Sequence, residues 1–281
     1  AEIAALNSDI DALLARIEVL ESGSTPVVGG GILYGDYDIL NNIDLTALIG
    51  YTEVTGNLYI SGGVASLAGL ESLTTVGGLQ IEWTESLTSL DGLNNLTVVD
   101  GDIYVDGNAS LASLTGLNSL TAVSGDVSIM GNELLTSFDG LNSLTTVGGF
   151  FYSYFNESLV SVEGLNNLTS VGNYVQILES PVASITGLSS LTTIGVYFSL
   201  SNLPLISLDG LDSLTSVGGD FSIEGNTLLT GITSLNNLTS VGGRIEITGN
   251  DALTSLDGLD SLTTVGGLII NSNDLIATLQ P

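Results

Sequence analysis

The chain has 281 residues, 43% of them hydrophobic and 36 of them glycine, enough apolar material for a large core interrupted by frequent turns. Its 31 acidic residues stand against two arginines, with no lysine or histidine, and the formal charge of -29 argues against nucleic acid and anionic membranes as partners. Cysteine is absent, which removes disulfides and thiolate metal sites, and no apolar run reaches the roughly 18 residues of a membrane span.

At the start of the chain, Ile3, Leu6, Ile10, Leu13, Ile17 and Leu20 are spaced alternately three and four apart, isoleucine at heptad position a and leucine at d. This predicts an α-helical coiled coil over residues 1–22, because such a seam is buried only by another helix. Isoleucine at a with leucine at d favours two strands. Leu14 widens the apolar stripe, however, and Arg16 to Glu21 resembles an Arg-h-x-x-h-Glu pattern, h being apolar, associated with parallel trimers. Arg16 at g can pair with Glu21 at the next e of a parallel neighbour. The expected state is a homotrimer, with a homodimer as the alternative. A helical pattern already under way at residue 1 points to a fragment of a longer chain. Residues 23–31, GSTPVVGGG, read as a flexible linker.

The chain then repeats. Val54, Val76, Val99, Val123, Val147, Val171, Ile194, Val217, Val241 and Val265 recur 22 to 24 residues apart, each followed by glycine within two residues. In the copy from Val217 to Leu238, Phe221-Ser222-Ile223 alternates apolar and polar, the period of a half-buried strand, and leucines then recur three apart. One copy cannot bury its own apolar face, so stacking must make the core. Residues 32–53, with Tyr37-Asp38-Ile39 and Asn42 but a short leucine run, predict an atypical N-terminal capping rung. Ten regular rungs follow, and Leu279 completes the last leucine triplet. The expected fold is mainly β: a leucine-rich-repeat-like β-solenoid of about ten to eleven rungs, carrying the N-terminal coiled coil.

The spacing L-T-x-V-G-G-x-Φ-x-Φ-x-G-N-x-x-L-x-S-L, with Φ apolar, is clearest over Leu120 to Leu135, Leu214 to Leu228 and Leu238 to Leu253. It resembles leucine-rich repeats, and more closely the receptor L-domain variant of bacterial surface proteins. The resemblance covers residues 32–281 and implies a ligand-binding or adhesive module, extracellular or on a cell surface, as in a bacterial fibre or phage tail fibre. The chain departs from the family in having Ser-Leu-Asp-Gly-Leu turns where a return helix would run, so almost no helix is expected after Glu21.

Most recurring residues have structural readings. Asn42, Asn108, Asn132, Asn156, Asn202, Asn226, Asn250 and Asn273 form one column, expected to point inward and satisfy backbone groups at the turn. Paired glycines such as Gly77-Gly78, Gly148-Gly149, Gly218-Gly219 and Gly242-Gly243 supply either positive φ or close stacking. Asp91, Asp139, Asp209 and Asp257, each before glycine, read as turns, and they lack the dense spacing of calcium solenoids. Thr74, Thr97, Thr121, Thr145, Thr169, Thr192, Thr215, Thr239 and Thr263 make a hydroxyl ladder that raises ice binding as a minor alternative. The sequons at Asn95, Asn167 and Asn237 recur only because the repeat does.

Function is sought where copies break the pattern on outward positions. Just before the inward pair stand Phe150, Tyr174 and Tyr197 on consecutive rungs; between the pair stand Tyr104, Tyr152 and Gln176; just after it stand Met130, Tyr154 and Leu178. These nine residues are the candidate ligand-binding set. The inward partners Phe151, Val175 and Ile177 already fill the core, and contiguous exposed apolar residues mark contact sites. Aromatics with an acidic rim suit protein hot spots and equally suit stacking on sugar rings. The register is open at two places: Ser153 falls inward, and counting back from Asn202 would turn Tyr197 and Ser199 inward. The bland reading of the patch is packing between chains of the oligomer.

The leading expectation is an adhesive or receptor-binding tip of a trimeric fibre, binding an extracellular glycan or surface protein, without nucleic acid, membrane insertion or cofactor. A structural spacer is the alternative. Catalysis is not expected, because without histidine, cysteine or lysine it would fall to paired carboxylates, for which Asp102, Asp106 and Asp126 are the only candidates.

Overall fold

The computed structural model describes residues 31–276. Ile3, Leu6, Ile10, Leu13, Arg16, Ile17, Leu20 and Glu21, the linker as far as residue 30, and Leu279 lie outside the described residues. Within them the chain is a β-solenoid of about 10 turns. The expected α-helical component is corrected: among the described residues there is no α-helix, only 3-10 turns at Asp44–Leu48, Thr186–Leu188 and Thr233–Leu235.

Every strand pairing is parallel and joins neighbouring rungs. Two ladders run along the solenoid. One consists of two-residue strands, Val98–Val99, Ala122–Val123, Thr146–Val147, Ser170–Val171, Thr193–Ile194 and Ser216–Val217. The other, the broad face, consists of Ile103–Asp106, Val127–Met130, Phe151–Tyr154, Tyr174–Leu178, Tyr197–Ser201 and Phe221–Glu224. Towards the ends, single strands such as Tyr51–Ser61 and Ser240–Thr248 cover both ladders, with a register shift at the corner between them.

The leucines recur three apart without forming a helix because each starts a new turn. Leu93 N–H donates to the Leu90 carbonyl at 3.1 Å and Leu96 N–H to the Leu93 carbonyl at 2.9 Å. Gly92 between them has φ +118°, which an L-residue reaches only under strain and which stops helical propagation. Where this position lacks the positive φ, at Gly187 and Ser234, the turn tightens into the 3-10 segments Thr186–Leu188 and Thr233–Leu235. All four leucines of the rung, Leu87, Leu90, Leu93 and Leu96, are fully buried. At about 1.5–3 kcal/mol for each buried leucine, stacked columns of this kind dominate the stability of the array.

The asparagine column forms a hydrogen-bonded ladder in two stretches, Asn108 to Asn156 and Asn226 to Asn273, with two members corrected. Asn132 Oδ1 accepts the N–H of Asn108, and Asn132 Nδ2 donates to the Val105 carbonyl at 2.7 Å. Asn108, Asn156, Asn226, Asn250 and Asn273 donate in the same way to the preceding rung. Asn202 is outside the ladder: Leu203 is the buried residue whose N–H meets Asn226 Oδ1, while Asn202 is exposed at φ +56°. Asn42 is also exposed, and its Oδ1 accepts from Ala65 on the following rung rather than from a preceding one. Thr84 and Ser180 fill the buried position on two other rungs.

Close stacking, rather than positive φ, explains the paired glycines. A Cβ on Gly148 would collide with the Ser124 carbonyl oxygen of the rung before, and one on Gly172 with the Gly148 carbonyl oxygen. Threonine closes the same corner from outside. Thr121 donates through both its N–H and its hydroxyl to the Thr97 carbonyl, at 2.9 and 3.1 Å, and Thr145 does the same to Thr121. The sequon residues Asn95, Asn167 and Asn237 spend Nδ2 on carbonyls of the preceding rung.

The two ends of the described array are less covered than its middle. Ile32, Leu40 and Ile43 of the first rung are 42%, 56% and 77% exposed, as an irregular cap requires, and Gly31 already belongs to its first strand. In the last rung Val265, Leu268 and Leu275 are exposed, and Leu256, Leu259 and Leu262 only partly buried.

Candidate binding face

The broad face puts alternate residues outward, and the structure decides both open registers. Phe198 and Leu200 are buried and Tyr197 is only half-buried, so Tyr197 stays on the outer face in register with Tyr174. Ser153 is inward and buried, held by a 2.9 Å hydrogen bond from Asn156 Nδ2. Phe138, at a position that is leucine in the rung before, packs edge-on against Phe151 at 5.4 Å and fills volume beside the small serine.

All nine predicted site residues, Tyr104, Met130, Phe150, Tyr152, Tyr154, Tyr174, Gln176, Leu178 and Tyr197, are half-buried, so none belongs to the core. They fall into three neighbouring columns. Phe150, Tyr174 and Tyr197 occupy consecutive rungs of the first, with Phe150 and Tyr174 stacked at 4.6 Å. In the second, Tyr104 and Tyr152 are separated by Ser128, which is 2% exposed, and Gln176 follows Tyr152. In the third, Met130, Tyr154 and Leu178 are in register, and Tyr154 lies 6.1 Å from Tyr152.

The first column shows what these aromatics replace. On other rungs an aspartate stands there, and its Oδ1 accepts the N–H of the next rung. Asp36 bonds Asn57, Asp102 bonds Asp126, Asp126 bonds Phe150 and Asp220 bonds Arg244, at 2.7 to 2.9 Å. Phe150, Tyr174 and Tyr197 have no carboxylate to do this. The same bonds give Asp102 and Asp126 a structural role, as does that of Asp106 Oδ1 with the Met130 N–H.

Electrostatically the face is a set of neutral hydroxyl donors rimmed by carboxylates. Burial first, then the neighbouring Asp102 and Asp126, pushes the Tyr104 phenol up; burial and then Asp126 does so for Tyr174; burial and then Tyr154 does so for Tyr152. These phenols stay protonated at physiological pH and can donate to a ligand oxygen. Among the described residues, no group of three or more acidic side chains could hold a metal ion.

Three exposed aromatics, Tyr34, Phe155 and Trp83, escaped the sequence reading, and the last two share a position in the rung. Phe155, 49% exposed, meets Tyr154 edge-on at 4.3 Å and extends the patch sideways. Trp83 is 71% exposed. Both stand where Gly107, Gly131, Gly225 and Gly249 stand on other rungs, and that break in the glycine column was the available signal. Beside the face runs an open groove of about 820 Å³, lined by Thr146, Gly148, Ser170, Gly172, Gly195 and Gly218 among others. No protein-family model matches the chain, and no curated protein matches it.

Proposed function

We propose that the protein is an adhesive or receptor-binding module, displayed outside the cell, that holds a cell-surface glycan through the aromatic face of its middle rungs. The observation that carries this reading is the run Phe150, Tyr174 and Tyr197, where aromatics stand in place of the aspartates that cap neighbouring rungs. For the solenoid the exchange gives up those carboxylate caps for a ring contact between Phe150 and Tyr174, whereas a sugar ring gains flat apolar surfaces with hydroxyl and amide groups around them. Tyr152 and Gln176 in the adjacent column supply those polar groups. The placement outside the cell and the kinship with receptor-L-type leucine-rich repeats follow the resemblance of the repeat unit and belong to this proposal. One copy of the solenoid suffices for the face. Glycan arrays probed with the full chain, and then with Tyr152→Ala and Tyr174→Ala, test the reading. Specific binding lost in both variants supports it; binding unchanged in both moves the site elsewhere, and binding to protein partners alone replaces the glycan with a protein ligand.

A further inference from the structure

The turn that follows each face strand passes through the left-handed region. Gly107, Gly131, Gly225 and Gly249 occupy it at φ +69°, +61°, +67° and +70°. Trp83, Phe155, Glu179, Asn202 and Ser272 occupy it at φ +54°, +53°, +48°, +56° and +51°, a conformation that costs a residue with a Cβ about 1–2 kcal/mol. What sets Trp83 apart is where its ring is placed.

The indole lies flat on the next rung. An ideal Cβ on Gly107 would sit 2.6, 2.8 and 3.0 Å from Cε3, Cζ3 and Cδ2 of Trp83. Nearly equal distances to three consecutive ring atoms mean that Gly107 meets the plane of the ring rather than its edge. One face of the indole is thus placed on Gly107, and with the residue 71% exposed the other face is open to solvent.

The surroundings select the occupant by charge. Glu82 precedes Trp83, and Asp106 is its in-register neighbour on the next rung. The Trp83 backbone N–H donates to the Asp106 backbone carbonyl at 3.0 Å, and Gly107, on which the indole lies, directly follows Asp106 in the chain. Asp106 Oδ1 accepts from Met130 N–H and from the Ser128 hydroxyl, and Oδ2 has no hydrogen bond among the described residues. Among the described residues no cation stands here: Arg244, the only basic side chain among them, pairs with Asp220 in a distant rung. An open tryptophan face beside carboxylates is the arrangement that attracts a guanidinium or ammonium group, and tryptophan is the strongest aromatic platform for it.

We propose that the outer face of Trp83 receives an arginine side chain of a basic protein partner, with the carboxylates of Asp106 and Glu82 taking its charge. This site adjoins the middle-rung face at Tyr104 and Met130, lies away from Tyr152 and Tyr174, and does not depend on glycan binding. Burial, opposed by the Met130 N–H and the Ser128 hydroxyl and reinforced by Glu82, lifts the Asp106 carboxyl to about 6.

Trp83 is the only tryptophan in the chain, so its fluorescence reports this site alone. The full chain is titrated with the peptide GRGRG, with its citrulline counterpart, which is neutral and nearly isosteric, and with a neutral maltooligosaccharide. The expected result is a saturable change with the arginine peptide, weakened by salt and at least about tenfold weaker with citrulline. Trp83→Ala, followed by calorimetry, and Asp106→Asn each weaken arginine binding about tenfold, while Tyr174→Ala leaves it unchanged. Far-ultraviolet circular dichroism establishes that each variant is folded. Equal response to arginine and citrulline peptides, saturable binding of the saccharide at Trp83, or full arginine binding by folded Trp83→Ala would each overturn the assignment.

Discussion

Phe150 and Tyr174 stack with ring centroids 4.6 Å apart and planes within 11° on the outside of adjacent rungs, each only half-buried. Their contact is worth about 0.5–1.5 kcal/mol to the fold, little in an array whose core is made of leucine. Tyr174→Ala is therefore expected to cost about 1 kcal/mol in urea denaturation. Its effect on glycan binding should be larger, about 2 kcal/mol or roughly 30-fold, the scale of an interface anchor. A stability loss larger than the affinity loss would make the stack a scaffold feature.

Asn132 and Asn202 look alike in sequence and should behave differently. Asn132→Ala strands the Asn108 N–H and the Val105 carbonyl inside the solenoid, and each buried orphan costs about 1–3 kcal/mol. A loss of about 3 kcal/mol or more is expected. Asn202 is exposed and bonds only Glu179 Oε1 through its side chain. Asn202→Ala should cost no more than about 1–2 kcal/mol, the price of left-handed backbone without a helpful side chain. Comparison of the two urea midpoints decides the matter.

Gly107 and Gly131 share a backbone conformation but not an environment. A Cβ on Gly131 meets only Gly107 backbone atoms at 3.8 Å, whereas one on Gly107 enters the indole of Trp83. Both alanine variants should lose about 1–2 kcal/mol from strain. Gly107→Ala alone should also displace the indole and change the near-ultraviolet circular dichroism of Trp83. Identical spectra for the two variants would remove the stacked position of the ring.

Asp106 gives the fold a pH dependence of definite sign. Its carboxyl is raised from 3.8 to about 6, mainly by burial, opposed by the Met130 N–H and the Ser128 hydroxyl and reinforced by Glu82. The folded chain thus holds this proton more tightly than the unfolded one. The resulting stability is complete below about pH 3.8 and is lost as the pH rises through about 6. Asp106→Asn keeps an acceptor for Met130 and Ser128 and never ionises. It should match the natural protein near pH 3.5 and exceed it at pH 8 by roughly 1 kcal/mol, allowing for solvent screening. Denaturation at both pH values checks this, and a destabilised variant at pH 8 would contradict it. The same variant is expected to bind arginine more weakly, so lost binding would not reflect lost folding.

Periodicity alone determined the solenoid, because a unit of this length with two inward apolar positions and a leucine triplet has no way to bury them except against its copies. It also determined which face is unusual, since Phe150, Tyr152 and Tyr174 depart from the column at positions whose outward direction follows from strand alternation. The heptad spacing led to an α-helical component that the described residues do not contain. Counting could not separate Asn202 from Asn132, because a rung one residue shorter shifts the buried position to Leu203 and only the hydrogen bonds between rungs reveal it. Nor could it choose between positive φ and close approach for Gly148, or show that Ser153 is satisfied by Asn156. Trp83 was the largest omission. Its importance lies in one ring face placed on a glycine of the next rung, and such a contact across the stack arises only when the turns are laid on one another.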